Sequence, residues 1–156
     1  MKITQRTLIA LLILLFAPGI LWAGSVVPTG MDDPGVVIQT RKAAMHAIKM
    51  NMDDVNKKLN DKKYKDIQAN AKAVDALARV LPPLYKEVLK DAYDGKGTYY
   101  KGAPGNEIES ISEKMSIAAQ SIFSAAGSEK KSDIAAGMAT VYQTCGMCHK
   151  KYRGKF

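Results

Sequence analysis

Residues 134–153 read IAAGMATVYQTCGMCHKKYR, and the spacing in this stretch decides the fold. Ile134, Met138, Val141, Cys145, Cys148 and Tyr152 follow one another at steps of four and three, the periodicity of one helix face. The same face carries Cys145-Gly146-Met147-Cys148-His149, which holds both cysteines of the chain and one of its two histidines. C-x-x-C-H is the sequence sign of c-type haem attachment: two thiols add to the two vinyl groups and the imidazole binds iron. Positions i, i+3 and i+4 share a helix face, so all three side chains can address one flat macrocycle. The haem-bearing residues lie on the core-facing stripe, which predicts a helical bundle built around its cofactor.

Other uses of these residues meet physical objections. A thioredoxin-like C-x-x-C belongs beside a βαβ pattern, which this chain lacks. Tetrahedral zinc needs a fourth ligand, for which only His46 or a carboxylate is left. A structural disulfide leaves His149 unexplained.

Three further helices are readable upstream. Asp32-Asp33-Pro34 supplies an acidic N-cap and a first-turn proline. Val37, Ile38, Ala44, Met45, Ile48, Met52, Val55 and Leu59 then form an apolar stripe. A second stripe runs through Tyr64, Ile67, Ala71, Val74, Leu77, Ala78 and Leu81, and Pro82-Pro83 ends or kinks it. Leu84 to Tyr93 reads as a short continuation. Asp94 to Asn106 is rich in glycine and shows no periodicity, so it is expected to be a surface loop, with Asn106 as the next cap. The third stripe is Ile108, Ile111, Met115, Ala119, Ile122 and Phe123, ending before Gly127, which suits a left-handed C-terminal position. Ser128 is expected to open the fourth helix. The fold class is all-α, an antiparallel four-helix bundle with covalently bound haem.

The N-terminus has Lys2 and Arg6, an apolar run from Leu8 to Ala17, then Pro18-Gly19 and Ala23. A run of about 10 residues is half the ~20 that a spanning helix needs, so residues 1–23 are expected to be a cleaved secretory signal peptide. An uncleaved anchor is the alternative. Residues 24–156 then form one domain in the periplasm. The formal charge of +8 includes Lys2 and Arg6, leaving +6, which favours an acidic redox partner or peripheral contact with an anionic membrane surface. No aromatic-basic patch or DNA-reading motif is present, so nucleic acid is not an expected partner.

C-x-x-C-H-x-x-Y-R on the last of four helices, completed here by Tyr152 and Arg153, resembles the cytochrome c′ family, the class II c-type cytochromes. Arg41-Lys42-Ala43-Ala44-Met45 in the first helix is similar to that family's arginine and distal-face residue four positions later. The resemblance implies one covalent haem c, with thioethers from Cys145 and Cys148 and His149 as proximal iron ligand. It also implies that Arg153 lies beside that imidazole and Arg41 near a propionate, with Met45 facing the sixth coordination position. A homodimer packed through the first two helices is a further implication. No catalytic residue is expected, and the protein reads as a carrier and not an enzyme.

Met45 separates two functions within the resemblance. A methionine-ligated, low-spin iron carries electrons; an open, high-spin iron binds small gases such as nitric oxide or carbon monoxide. A flexible thioether fills core space as readily as it binds metal, so the residue type alone allows both. Met50 lies off the stripe, Met52 lies almost two turns further from Arg41, and Met115 and Met138 are read as core packing. His46 is about 100° around the helix from Met45 and is expected to face away from the iron. Lys150, Lys151, Arg153 and Lys155 would give the haem edge a positive rim for an acidic partner, or else form a solvated tail that complements the helix dipole.

Overall fold

The computed structural model describes residues 33–85, 98–100 and 105–155. The expected signal peptide lies outside the described residues. Four helices account for most of the rest: α1 (Pro34–Asn60), α2 (Tyr64–Arg79), α3 (Gly105–Gly127) and α4 (Lys131–Tyr152). A 3-10 turn, Pro82–Tyr85, follows α2. No helix among the described residues is long and apolar enough to cross a membrane.

Local chemistry sets the ends. Asp33 caps α1, its carboxylate accepting from the backbone N–H groups of Gly35 at 2.7 Å and Val36 at 3.3 Å, with Pro34 in the first turn. The turn into α2 passes through Lys62 at φ 57°, and the turn into α4 through Glu129 at φ 54°. Both close in the same way. The Lys63 N–H donates to the Lys58 carbonyl at 2.9 Å, and the Lys130 N–H donates to the Ala125 carbonyl at 2.9 Å, the long-range bond of a Schellman motif. This corrects two expectations: the left-handed residue after α3 is Glu129, not Gly127, and α4 begins at Lys131, not Ser128. Once the motif's two hydrogen bonds fix the turn two residues later, the glycine stays inside the helix.

The expected stripes are buried. Val55, Ile67, Val74, Ala119, Ile122, Ile134 and Val141 are all within 1 % of full burial, and they come from all four helices. Polar seams flank α2. Asn70, buried, donates to Asn51 Oδ1 at 2.9 Å and Asp54 Oδ2 at 3.2 Å of α1 and accepts from Lys58 Nζ at 2.8 Å. On the other side Asp75 Oδ1 accepts from Ser116 Oγ and, at 3.3 Å, from Gln120 Nε2 of α3, and from Arg79 Nε at 3.0 Å. The burial of Asp75 opposes ionisation, yet the donors Ser116, Arg79 and Gln120 together hold its carboxyl below the ordinary range.

Neighbouring helices are not equally close. α2 packs along α3, α3 along α4 and α1 along α2, but the Cα traces of α1 and α4 come within 8 Å almost nowhere. That seam is bridged by side chains instead; Tyr142 of α4 feels the charges of Lys49 and Asp53 on α1.

The connection before α3 holds one surprise. Thr98–Tyr100 is a strand (β1), antiparallel to Arg153–Lys155 (β2), with Thr98 opposite Lys155, Tyr99 opposite Gly154 and Tyr100 opposite Arg153. The region was expected to be plain loop. Three-residue strands leave too short a run for alternation to register in sequence. α3 starts at Gly105, one residue before the expected Asn106 cap, and the expected helix from Leu84 is a 3-10 turn as far as Tyr85, beyond which it leaves the described residues.

Candidate haem-binding site

The seam between α1 and α4 contains a cavity of about 20 Å³ lined by Met45 of α1 and by Cys145, Cys148 and His149 of α4. Leu81 and Tyr85 close one wall, and Ile108, Ile111, Ser112 and Met115 of α3 another. Four of the six site residues read from sequence therefore face one space. His149 is exposed, whereas Ile108, Ser112 and Met115 are buried, so the cavity runs from a surface imidazole to an interior wall.

Cys145 and Cys148 are free and half-buried. Burial pushes both thiols up, Cys148 to about 11, with the neighbouring Cys145 adding to the effect and the Arg41 charge opposing it. A redox-active or metal-seeking cysteine needs the reverse shift, towards thiolate. Among the described residues no group of three His, Cys, Asp or Glu side chains is placed to hold a metal ion. Neutral thiols one helical turn apart beside an imidazole, facing a largely apolar wall, instead suit thioether attachment of a haem.

Arg41 joins the site from α1. It is buried, its guanidinium stacks over the Tyr85 ring at 5.1 Å, and its charge reaches Cys148. A fixed, forked cation against Tyr85, which lines the cavity, suits a haem carboxylate. Arg153 is placed by its backbone alone, paired with Tyr100 four residues beyond His149. Lys151 binds Glu107 Oε1 of α3 at 2.6 Å and so ties the last turn of α4 to the first turn of α3. The hydrogen bond from Lys151 is the main cause that holds the Glu107 carboxyl low. His46 is exposed, as expected, and Met50 is exposed too.

Sequence reasoning missed part of the wall. Ile108, Ile111 and Met115 were legible as core, but nothing along α3 says which end of the stripe meets the cofactor. Tyr85 follows two prolines and has no periodic partner. Ser112 occupies a stripe position, four residues after Ile108 and three before Met115, with a polar side chain.

The sequence model of the family described as Cytochrome C′ matches residues 36–153. Among solved structures, cytochrome c′ from Thermochromatium tepidum is 22% identical, with a TM-score of 0.65 over 78% of this chain and 97% of that one. A cytochrome c′ described as having an unusual ligand-controlled dimer dissociation is also 22% identical, with a TM-score of 0.67 over 78% and 97%. The protein from Rubrivivax gelatinosus is 19% identical, with a TM-score of 0.57 over 77% and 96%. Curated proteins offer no significant match.

Proposed function

The chain belongs to the cytochrome c′ family, and from that premise we propose that it is a periplasmic electron carrier, not an enzyme, whose iron is held between His149 and Met45. The family implies a covalently bound haem c. Bound here, that group supplies a reversible one-electron couple. The observation that carries the reading is the placement of the Met45 side chain in the same cavity as Cys145, Cys148 and His149.

Each residue then has a task. Cys145 and Cys148 would fix the group to α4. His149 would supply a nitrogen ligand. Met45 would supply a sulfur ligand from α1, and Met/His ligation favours a raised potential and little rearrangement on electron transfer. Arg41, buried against Tyr85, would balance the negative charge of a haem carboxylate. His149 and Lys150 are exposed, which supports a haem edge near the surface where positive charge would steer an acidic partner. Residues 1–23 direct export, which haem attachment in this family requires. The charge also supports peripheral contact with anionic membrane, and the resemblance supports a homodimer.

A second reading has one observation behind it. Beyond Met45, Met115 is the one further thioether in the lining and Leu81, Ile108 and Ile111 offer no donor, so an iron that neither methionine held would be open to small gases.

The spectrum of the Met45→Ala protein decides. The unmodified protein is expected to be low spin and slow to take up carbon monoxide; the variant should turn high spin, lose reduction potential and bind carbon monoxide rapidly. An unmodified protein that is already high spin and binds carbon monoxide freely overturns the carrier reading in favour of gas binding.

A further inference from the structure

A groove of about 700 Å³ runs along the exposed face of the α3–α4 pair and shares no lining residue with the haem cavity. Its buried lining includes Ala118 of α3 and Gly137 and Thr144 of α4. Ile117 and Met147 also line it, yet they are 55 % and 42 % exposed, two of the few large apolar side chains that the described residues leave to solvent. The hydroxyls along the groove are already engaged. Ser121, Thr140 and Thr144 donate to the carbonyls of Ile117, Ala136 and Val141 at 3.0, 3.1 and 2.7 Å. A small polar molecule would find no hydroxyl donor there, whereas a protein surface would cover Ile117 and Met147.

Charge identifies the partner. Lys114 is the one cation among the lining residues and Asp133 the one anion, so net charge draws neither an acidic protein nor an anionic membrane to the groove. The two stand at opposite ends and on different helices. α3 and α4 pack along each other and meet at the tight turn through Glu129; at about 1.5 Å per residue, Lys114 lies roughly 20 Å from that turn and Asp133 within about 5 Å. Ile117 belongs to the Lys114 half, and the small residues Ser121 and Ala136 to the Asp133 half. Turning a second copy about a two-fold axis in the plane of this face, inclined to the helices, puts its Asp133 beside Lys114 and its small-residue half under Ile117. The same contacts then recur in the other direction, as a two-fold interface requires. We propose that this groove is an interface between two copies of the chain, held by reciprocal pairs of Lys114 with Asp133 around an apolar centre at Ile117. This face differs from that of the first two helices, and the proposal does not depend on how the iron is ligated.

Sedimentation velocity of the holoprotein over a range of concentrations tests this, with circular dichroism checking that each variant is folded. Lys114→Glu and Asp133→Lys should each raise the dissociation constant about tenfold, because each sets two like-charged pairs in the interface. Combined, the substitutions reverse both pairs, and association should return to within about threefold of the unmodified protein. Asp133 also stands in the first turn of α4, where an acidic side chain suits the helix dipole, so Asp133→Lys has a folding cost of its own. The double variant bears the same cost, so recovery there reports the interface alone. Ile117→Asn should weaken association with both charges in place. A holoprotein that stays monomeric at every concentration overturns the proposal. Association that none of these variants changes also overturns it and assigns the contact to another face, such as that of α1 and α2. A loss in both single variants that the combined variant fails to restore overturns it as well, since the two charges would then not face each other.

Discussion

Gly137 of α4 packs closely against α3, and a single added methyl there has a calculable cost. A Cβ at this position would lie 2.6 Å from Ile122 Cγ1 and 3.4 Å from the Ala118 carbonyl oxygen. Carbon atoms in contact prefer about 3.5–4.0 Å, so the Ile122 contact is about 1 Å too short. Ile122 is fully buried and has no solvent into which to swing. Overpacking of this kind costs about 1–3 kcal/mol, and the better helix propensity of alanine offsets roughly 1 kcal/mol. Gly137→Ala should therefore destabilise the holoprotein by about 1 kcal/mol, and Gly137→Val by clearly more, because valine adds two further carbons and gives back part of the propensity gain. Urea unfolding followed by circular dichroism measures this, and a double-mutant cycle identifies the cause. Ile122→Ala alone removes core volume at about 2–5 kcal/mol, but with Gly137→Ala the new methyl enters the space that the isoleucine left. The pair should lose about 1 kcal/mol less than the sum of the singles. Additivity within ~0.5 kcal/mol would show that the close approach does not limit packing here.

Two other perturbations follow from the turns and the polar seam. Replacing Lys62 or Glu129 by glycine should stabilise the protein by up to about 1 kcal/mol each in thermal unfolding, because both residues adopt positive φ, which costs a side chain roughly 1–2 kcal/mol; a loss of stability would refute the strain argument. Asp75→Asn should lower stability at neutral pH, with a deficit that shrinks on acidification. The folded carboxyl titrates below its unfolded value of about 3.9, so its contribution is present above that pH and lost as pH falls through the folded value; a deficit constant from pH 7 to pH 3 would contradict this.

What the sequence made legible follows from the range of each signal. Asp33-Pro34 and the stripes are local patterns, and the helices they specify are present with their apolar faces buried. Cys145, Cys148 and His149 could be named from their spacing and Met45 from the family resemblance of the stretch from Arg41 to Met45, and the structure lines one cavity with these four. The stacking of Arg41 on Tyr85, the pairing of Tyr100 with Arg153 and the presence of Ser112 in the cavity wall are long-range facts. Each joins segments separated by more than 30 residues, and no periodicity encodes which distant segment a given turn will face. The Schellman turns were missed for a different reason: their hydrogen bonds hold Lys62 and Glu129 in a conformation that residue preference assigns to glycine.

The wide seam between α1 and α4 bears on how the protein holds together. The tight turns at Lys62 and Glu129 make two helical hairpins, joined mainly where α2 lies along α3. The four residues that line the candidate site are split between their outer edges: Met45 belongs to the first hairpin, and Cys145, Cys148 and His149 to the second. A group fastened to the second hairpin meets Met45 not at its bulk concentration but at an effective concentration set by the hairpin geometry, which for short tethers is on the order of millimolar. Under the proposed methionine ligation, coordination by Met45 and docking of the two hairpins would become one equilibrium, so each would strengthen the other by the same factor. Whatever strengthened or weakened that bond would then act on the cohesion of the whole bundle.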